Sequence, residues 1–392
     1  MPRFEPFPAW RYAPGTDLDA VIAPPYDVLS GDDVAALAAR DPHNIVHVDV
    51  PTGDSPRRYL DAAATLREWM ASGVLVRDGV PAFTIYRMRF TDAAGVPRDI
   101  AGVLGALEVV DLGAGGVLPH ERTTPKASTD RLDLTRAAGA NLSPVWGLAL
   151  AHGLTEALRE PAEVLGSVIV DGVEHRIERV SDPERIAAIQ ACVSPDDVLL
   201  ADGHHRYGVA RIYRDEVRAR TGRDDTTAEL TLTFVNELVS DQLSVEAIHR
   251  LYDGIAWDDL VAALGVRFDL VPLDGPVSTS TLGEMVDRDR LVLLDSDGKG
   301  TWLVPKPGAF EDVRALDGAW LEATLAGTSA QVSYQHGLVE MLREVRGHTA
   351  GVLIRPTSVE EILRTGREGL LMPPKSTFFT PKLRTGLVIR TL

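Results

Sequence analysis

The segment ADGHHR, from Ala201 to Arg206, sets an acid, a glycine, two adjacent histidines and an arginine side by side. An apolar run from Asp197 precedes it. Val209, Tyr213 and Val217 follow at four-residue spacing, so the pattern predicts a strand, a tight turn and a helix from about Arg206 to Thr221. Such a turn suits an anion. Gly203 permits close approach of the backbone, the helix N-terminus offers N–H groups and a favourable dipole, and Arg206 adds a two-pronged donor. His204 and His205 can donate hydrogen bonds or move protons near neutral pH. Two other readings stay open: Asp202 caps the helix while the histidines bond structurally, or Asp and His hold a metal. Adjacent histidines in an extended turn point apart, which weakens the metal reading.

Two further segments mix cations with hydroxyls. In PHERTTPKASTDR, from Pro119 to Arg131, His120, Glu121, Arg122, Lys126 and Arg131 surround Thr123, Thr124, Ser128 and Thr129. Cations there neutralise phosphoryl charge, hydroxyls orient oxygens and a carboxylate accepts a proton. MPPKSTFFTPKLRTG, from Met372 to Gly386, repeats the recipe with Lys375, Ser376, Thr377, Lys382 and Arg384 around Phe378 and Phe379. Only five lysines occur in the chain, and three lie in these two segments. Asp27, in APPYDVLS, is a cap or a ligand. No phosphate loop, dinucleotide fingerprint, nucleophile elbow or His-Glu-x-x-His helix is present.

Ser30, followed three residues later by Asp33, predicts an N-capped helix through Arg40. NIVHVDV, from Asn44 to Val50, alternates and predicts a strand; SPRRYLDAAATLREWMASG predicts a helix ending at Gly73. AFTIYRMRF and DIAGVLGALEVV flank a polar turn and predict a hairpin, as does VIVDGVEHRIERV around Asp171-Gly172. VWGLALA reads as a buried strand and DPERIAAIQACV as a helix. The long irregular stretch after Val110 reads as a functional loop. VPLDGPVSTST, from Val271 to Thr281, is the best punctuation, dividing the chain into residues 1–270 and 271–392. Beyond it come a hairpin, RLVLLDSDGKGTWLVP, and GVLIRP followed by a helix capped by Ser358 and Glu361.

At 392 residues the chain accommodates two domains, and 45% apolar with 25% charged residues is ordinary globular composition. The single cysteine, Cys192, excludes an internal disulfide and reads as a packed thiol. The N-terminus lacks a basic region followed by an apolar run, and no long apolar stretch occurs, so the expectation is a cytoplasmic protein without a membrane span. A formal net charge of −17 repels nucleic acid at long range, so an anionic ligand must meet local cations.

The chain resembles a bacterial and archaeal domain-of-unknown-function family, numbered 1015. APPYDVLS, PHERTTPK with Asp130-Arg131, ADGHHR and PPKSTFFTPKLRTGLV carry the resemblance, in order and nearly end to end. Members often show Lys-His-Glu-Lys-Thr where this chain has LPHERT, so a basic residue before His120 is lost. More remotely, DGHHR is similar to the nucleotide-binding turn of the ParB/sulfiredoxin-like superfamily, which includes free serine kinases. That likeness implies an α+β (mixed α/β) fold with a ParB/sulfiredoxin-like nucleotide-binding core and a smaller C-terminal α/β portion.

The combined expectation is a nucleotide-dependent phosphotransferase using magnesium and ATP or ADP on a small hydroxyl metabolite, with free serine the first candidate. Gly203, His204, His205 and Arg206 hold phosphates, and Glu121 or Asp202 is the general base. Lys126 and Arg131 stabilise the transferring group, helped by His120, Arg122 and Thr123. Lys375, Ser376 and Lys382 close the pocket. The alternatives are a metal-dependent phosphoesterase built on Asp202, His204, His205, His120 and Glu121, and a nucleotide sensor that transfers nothing. Which metal is bound, and the oligomeric state, are left open.

Overall fold

Ser30 accepts the Asp33 N–H at 3.2 Å while the Asp33 carboxylate takes the Ser30 N–H at 2.9 Å, and this reciprocal cap starts the helix Gly31–Arg40. The helix Arg57–Ser72 ends on Gly73 at φ 84°, the left-handed stop that its glycine predicts. Both are elements of a computed structural model that describes residues 1–53, 55–92, 95–111, 113–119, 128–373 and 375–392. The molecule is mixed α/β, 35% helix and 29% strand.

The chain forms two compact units. The first comprises Met1–Ser244, Gly366–Leu370 and Pro381–Leu392; the second comprises Val245–Thr365 and Leu371–Thr380. This division falls ahead of the break expected at 270/271. The segment 271–281 instead connects the strand Phe268–Pro272 to the helix Thr279–Asp287 inside the second unit. Loop composition marked a connection there, and a connection within a unit has the same composition as one between units.

A nine-stranded mixed sheet forms the first unit. In order it runs Val117–Leu118, Val198–Asp202, Val145–Ala149, Leu230–Glu237, Pro97–Glu108, Phe83–Thr91, Val173–Val180, Glu163–Val170, with Phe4–Glu5 beside Pro97–Glu108. Both predicted hairpins are present as antiparallel pairs. The turn at Asp171 and Gly172 takes positive φ at both residues, the geometry that matches the twist of its strands. Val103, Val145, Val198 and Leu200 are fully or almost fully buried where helices cover the sheet.

Asn44 to Val50 is not a strand. Val46–Asp49 is a short helix, started by the buried Asn44, whose Oδ1 accepts the Val46 N–H at 3.0 Å and whose Nδ2 donates to Ala20 O at 2.7 Å. Alternation of β-branched residues misled because a buried asparagine offered the backbone a turn in place of a ladder.

In the second unit six antiparallel strands run Phe268–Pro272, Gly300–Pro305, Leu291–Leu294, Ala350–Leu353, Ile248–Asp253, Gln331–His336. Alternate residues of Leu291–Leu294 enter different cores. Leu291 and Leu293 pack with Leu260 and Leu321, whereas Val292 and Leu294 pack with Met285 and Met341, so helices cover both faces.

Candidate functional site

The strand Val198–Asp202 lies between Val117–Leu118 and Val145–Ala149 and delivers Asp202 to its C-terminal end. Gly203 then turns the chain at φ 81°, ψ 26°. A Cβ at this position would stand 3.2 Å from the Val145 Cα and 3.1 Å from Arg206 Cζ, so space and dihedral both demand glycine. The helix begins at His204, two residues before the expected start, and runs to Thr221. The histidines therefore occupy its first turn, where successive side chains diverge by about 100°. Gly203 supplies no capping side chain, and the positive end of the helix dipole lies at this turn.

Arg206 folds back over the turn. Its side chain, 10% exposed, donates to Ser143 Oγ at 3.1 Å, to the Pro144 carbonyl, and to Asp202 Oδ2 at 3.3 Å. Lys382 Nζ reaches the same Asp202 oxygen at 3.3 Å. Burial works to raise the Asp202 pKa, but Lys382, Arg206 and His204 outweigh it and hold the carboxylate well below its ordinary range. Asp202 is therefore ionised throughout the neutral range. A base so weak serves poorly in proton abstraction, while a fixed negative charge can orient two cations.

Lys382 arrives on the C-terminal segment, which threads through the first unit. Thr385 pairs with Ala23 and donates to Ser143 Oγ at 3.2 Å, and Ile389 bridges to Trp10. Arg384 donates to the buried His175 Nε2 at 3.3 Å, so the neutral ring carries its proton on Nδ1, 2.7 Å from the Tyr86 hydroxyl. Burial, with Arg384 alongside, lowers the His175 pKa to about 3.

Arg131, in the helix Ser128–Ala138, is also drawn inward. It bonds Asp49 O at 2.5 Å and Asp130 Oδ2 at 2.6 Å, and its guanidinium lies 4.4 Å from the Tyr26 ring centroid. Tyr59 and Arg58 hold the outer oxygen of Asp130 at 2.7 and 3.0 Å. Behind Arg206 lies a cavity bordered by Tyr26, Asp49, Arg131, Ser143 and Tyr213. Burial raises the Tyr26 pKa to about 12 and also raises that of Asp49, against the opposing pull of Arg131 and Arg206.

Asp202, Gly203, His204, Arg206 and Lys382 thus come together, with Arg131 sharing the cavity wall behind Arg206. His205 sits in the same helical turn. His120, Glu121, Arg122, Thr123 and Lys126 lie outside the described residues. Lys375 and Ser376 belong to the second unit: Ser376 is buried with its hydroxyl on Pro373 O at 2.8 Å, and Lys375 has φ 60°. The segment expected to act as one piece is thus shared between units. Sequence reasoning missed Asp49 and Ser143; an acid inside the apolar NIVHVDV run was the available signal for Asp49. Among the described residues, no group of three or more His, Cys, Asp or Glu could hold a metal ion. Among the described residues, no helix is long and apolar enough to cross a membrane.

No curated protein matches the chain. Among solved structures, a conserved hypothetical protein from Pyrococcus furiosus is 11% identical, over 73% of this chain and 95% of that one, with a TM-score of 0.38. A free serine kinase in complex with AMP is 12% identical, over 74% and 92%, with a TM-score of 0.38. SbnI with a C-terminal truncation, from Staphylococcus aureus, is 13% identical, over 74% and 87%, with a TM-score of 0.41. A family model described as a protein of unknown function, DUF1015, matches residues 4–319, and the chain belongs to that family.

Proposed function

We propose that the protein is a nucleotide-dependent phosphotransferase acting on a small hydroxyl metabolite. The carrying observation is the N-terminus of the helix His204–Thr221, opening on the left-handed Gly203, with Arg206 and Lys382 both set on Asp202 beside it. Backbone N–H groups of the first turn bind phosphate oxygens, aided by the dipole of an 18-residue helix. Two cations held by one carboxylate leave a net positive charge at the turn, which favours a polyanion despite the acidity of the whole chain.

The residues fit a magnesium nucleotide in kind. Asp202 is an ionised oxygen ligand of the sort that magnesium takes with several waters, and the turn supplies N–H donors. When bound, the magnesium nucleotide supplies the phosphoryl group. Arg206 orients a phosphate oxygen from a guanidinium already fixed by Ser143, Pro144 and Asp202, so little side-chain freedom remains to be lost. Lys382 approaches as a point charge, and His204 or His205 passes a proton to or from a phosphate oxygen.

Melting temperature is to be measured with ATP, ADP, CTP and GTP, each with and without magnesium, followed by ³¹P NMR with serine and other small alcohols. A selective rise, and a phosphorylated alcohol, are expected. No rise with any nucleotide would remove this reading. Saturable binding with no product over the whole acceptor panel would replace it with a sensor.

A further inference from the structure

The cavity behind Arg206 lies between the helices Ser128–Ala138 and His204–Thr221. Its volume is about 50 Å³. At roughly 10–15 Å³ for each water, the cavity holds about four waters. Nucleotide-sized ligands need several hundred Å³, so the cavity is too small for one. Its wall is mixed: Asp49, Arg131, Ser143 and Arg206 bring charge and a hydroxyl, and Leu134, Leu142, Val209, Ala210 and Leu230 bring apolar surface.

From this shape and chemistry we infer that the cavity is the acceptor site, taking a compact primary alcohol of two to four carbons with its hydroxyl on the Asp49 carboxylate. The inference rests on the phosphotransferase reading for its chemistry, though not for its binding. Asp49 is 4% exposed. Among the described residues its carboxylate takes one hydrogen bond, from Arg131 at 3.4 Å, because Arg131 spends its shorter bond on the Asp49 main-chain oxygen. A hydroxyl at Asp49 meets an acceptor with spare capacity in a cavity that Arg206, bonded to Asp202, also lines. Burial gives this carboxylate the greater proton affinity that Asp202 lacks.

The step balances. Asp49 takes the hydroxyl proton as the alcohol oxygen bonds to the terminal phosphorus of the nucleoside triphosphate. The bond from that phosphorus to the bridging oxygen breaks, its electron pair leaves on the diphosphate, and Asp49 releases the proton to solvent.

Ethanolamine, glycolate and serine are the probes, titrated without nucleotide into the full chain by ligand-observed NMR. Ala210→Val adds two methyl groups to the cavity wall and Asp49→Asn removes the charge; each variant's nucleotide-dependent melting shift serves as the folding control. The expected result is at least tenfold weaker probe binding in both variants with that shift retained. In turnover, Asp49→Asn should lose the rise of rate with pH that the wild type shows. Failure of all three probes to bind the wild type, or unchanged binding by Ala210→Val, overturns the acceptor site. Wild-type turnover by Asp49→Asn overturns its assignment as proton acceptor. Probe binding as expected with no phosphoryl transfer refutes the phosphotransferase reading instead and leaves the alcohol site standing.

Discussion

Gly203 and Gly208 lie five residues apart, and replacing each by alanine should move stability in opposite directions. Gly203 holds φ 81°, where a Cβ costs about 1–2 kcal/mol from its own backbone. The new methyl also stands 3.2 Å from Val145 Cα, on a neighbouring strand whose register is fixed by pairing on both sides, and 3.1 Å from the anchored Arg206. Crowding of that kind costs about 1–3 kcal/mol. Loss of unfolded-chain entropy returns roughly 0.4–1 kcal/mol, so Gly203→Ala should be destabilised by about 1–4 kcal/mol. Gly208 is helical, with no atom within 4 Å of the position a Cβ would take. Gly208→Ala should therefore gain about 0.5–1 kcal/mol. Two compact units make a single global midpoint ambiguous, so the assay is native-state hydrogen exchange on peptides from residues 198–221, which reads local opening directly. Protection of that segment in Gly203→Ala equal to the wild type, or a shared sign for both variants, would refute the reasoning.

Arg206→Lys should abolish the nucleotide-induced melting shift almost as fully as Arg206→Ala, because an ammonium cannot span Ser143, Pro144 and Asp202 together; a retained shift with lysine would count against the fork. Asp202→Asn should cost about 1–3 kcal/mol at pH 7 by removing the negative charge that two cations share. Since the folded pKa is depressed, that difference is present above the unfolded value of about 4 and narrows as pH falls below it; urea titrations from pH 7 down to pH 3 test this, and a gap that widened on acidification would be wrong. His175 should remain neutral down to about pH 3. Its contribution is whole above the unfolded value of about 6.5 and falls by about 1.4 kcal/mol per pH unit on acidification from there towards the folded value; an NMR ring signal titrating above pH 5 would contradict it.

Much of the site's framework was legible because its signals are local. Ser30 with Asp33, Gly73, the Asp171-Gly172 turn and the DGHHR segment each act through neighbouring backbone, so their residue types alone announce the geometry. The helix starts two residues earlier than expected because Gly203 caps it in the left-handed region, which needs no side-chain oxygen, so the histidines enter the first turn and Asp202 is left to bind cations. Long-range facts were less readable. Lys382 meets Asp202 across 180 residues, and Asn44 turned a strand-like pattern into a helix through bonds to Ala20 and Ile22. Domain limits failed for the same reason, since residues 381–392 belong with the first 244 by contact and not by order.

The roles of the two central acids follow from what surrounds each. Asp202 and Asp49 are the same side chain, the first partly and the second almost wholly withdrawn from water, and desolvation pushes both towards the protonated form. At Asp202 that push is overcome, because Lys382 and Arg206 stand at hydrogen-bond distance from one oxygen. At Asp49 it is not, because Arg131 divides its donors between Asp130 and a main-chain carbonyl and leaves the carboxylate a long contact. A charge that never leaves Asp202 is useful for holding cations against an anionic ligand, and useless for taking protons. A carboxylate whose proton comes and goes nearer neutrality has the opposite virtues. Arg206 contributes to both environments, bonded to Asp202 on one side and bordering the Asp49 cavity on the other. Any anion that neutralises Arg206 in place therefore alters the field at Asp49 too, so the two environments are coupled through one guanidinium.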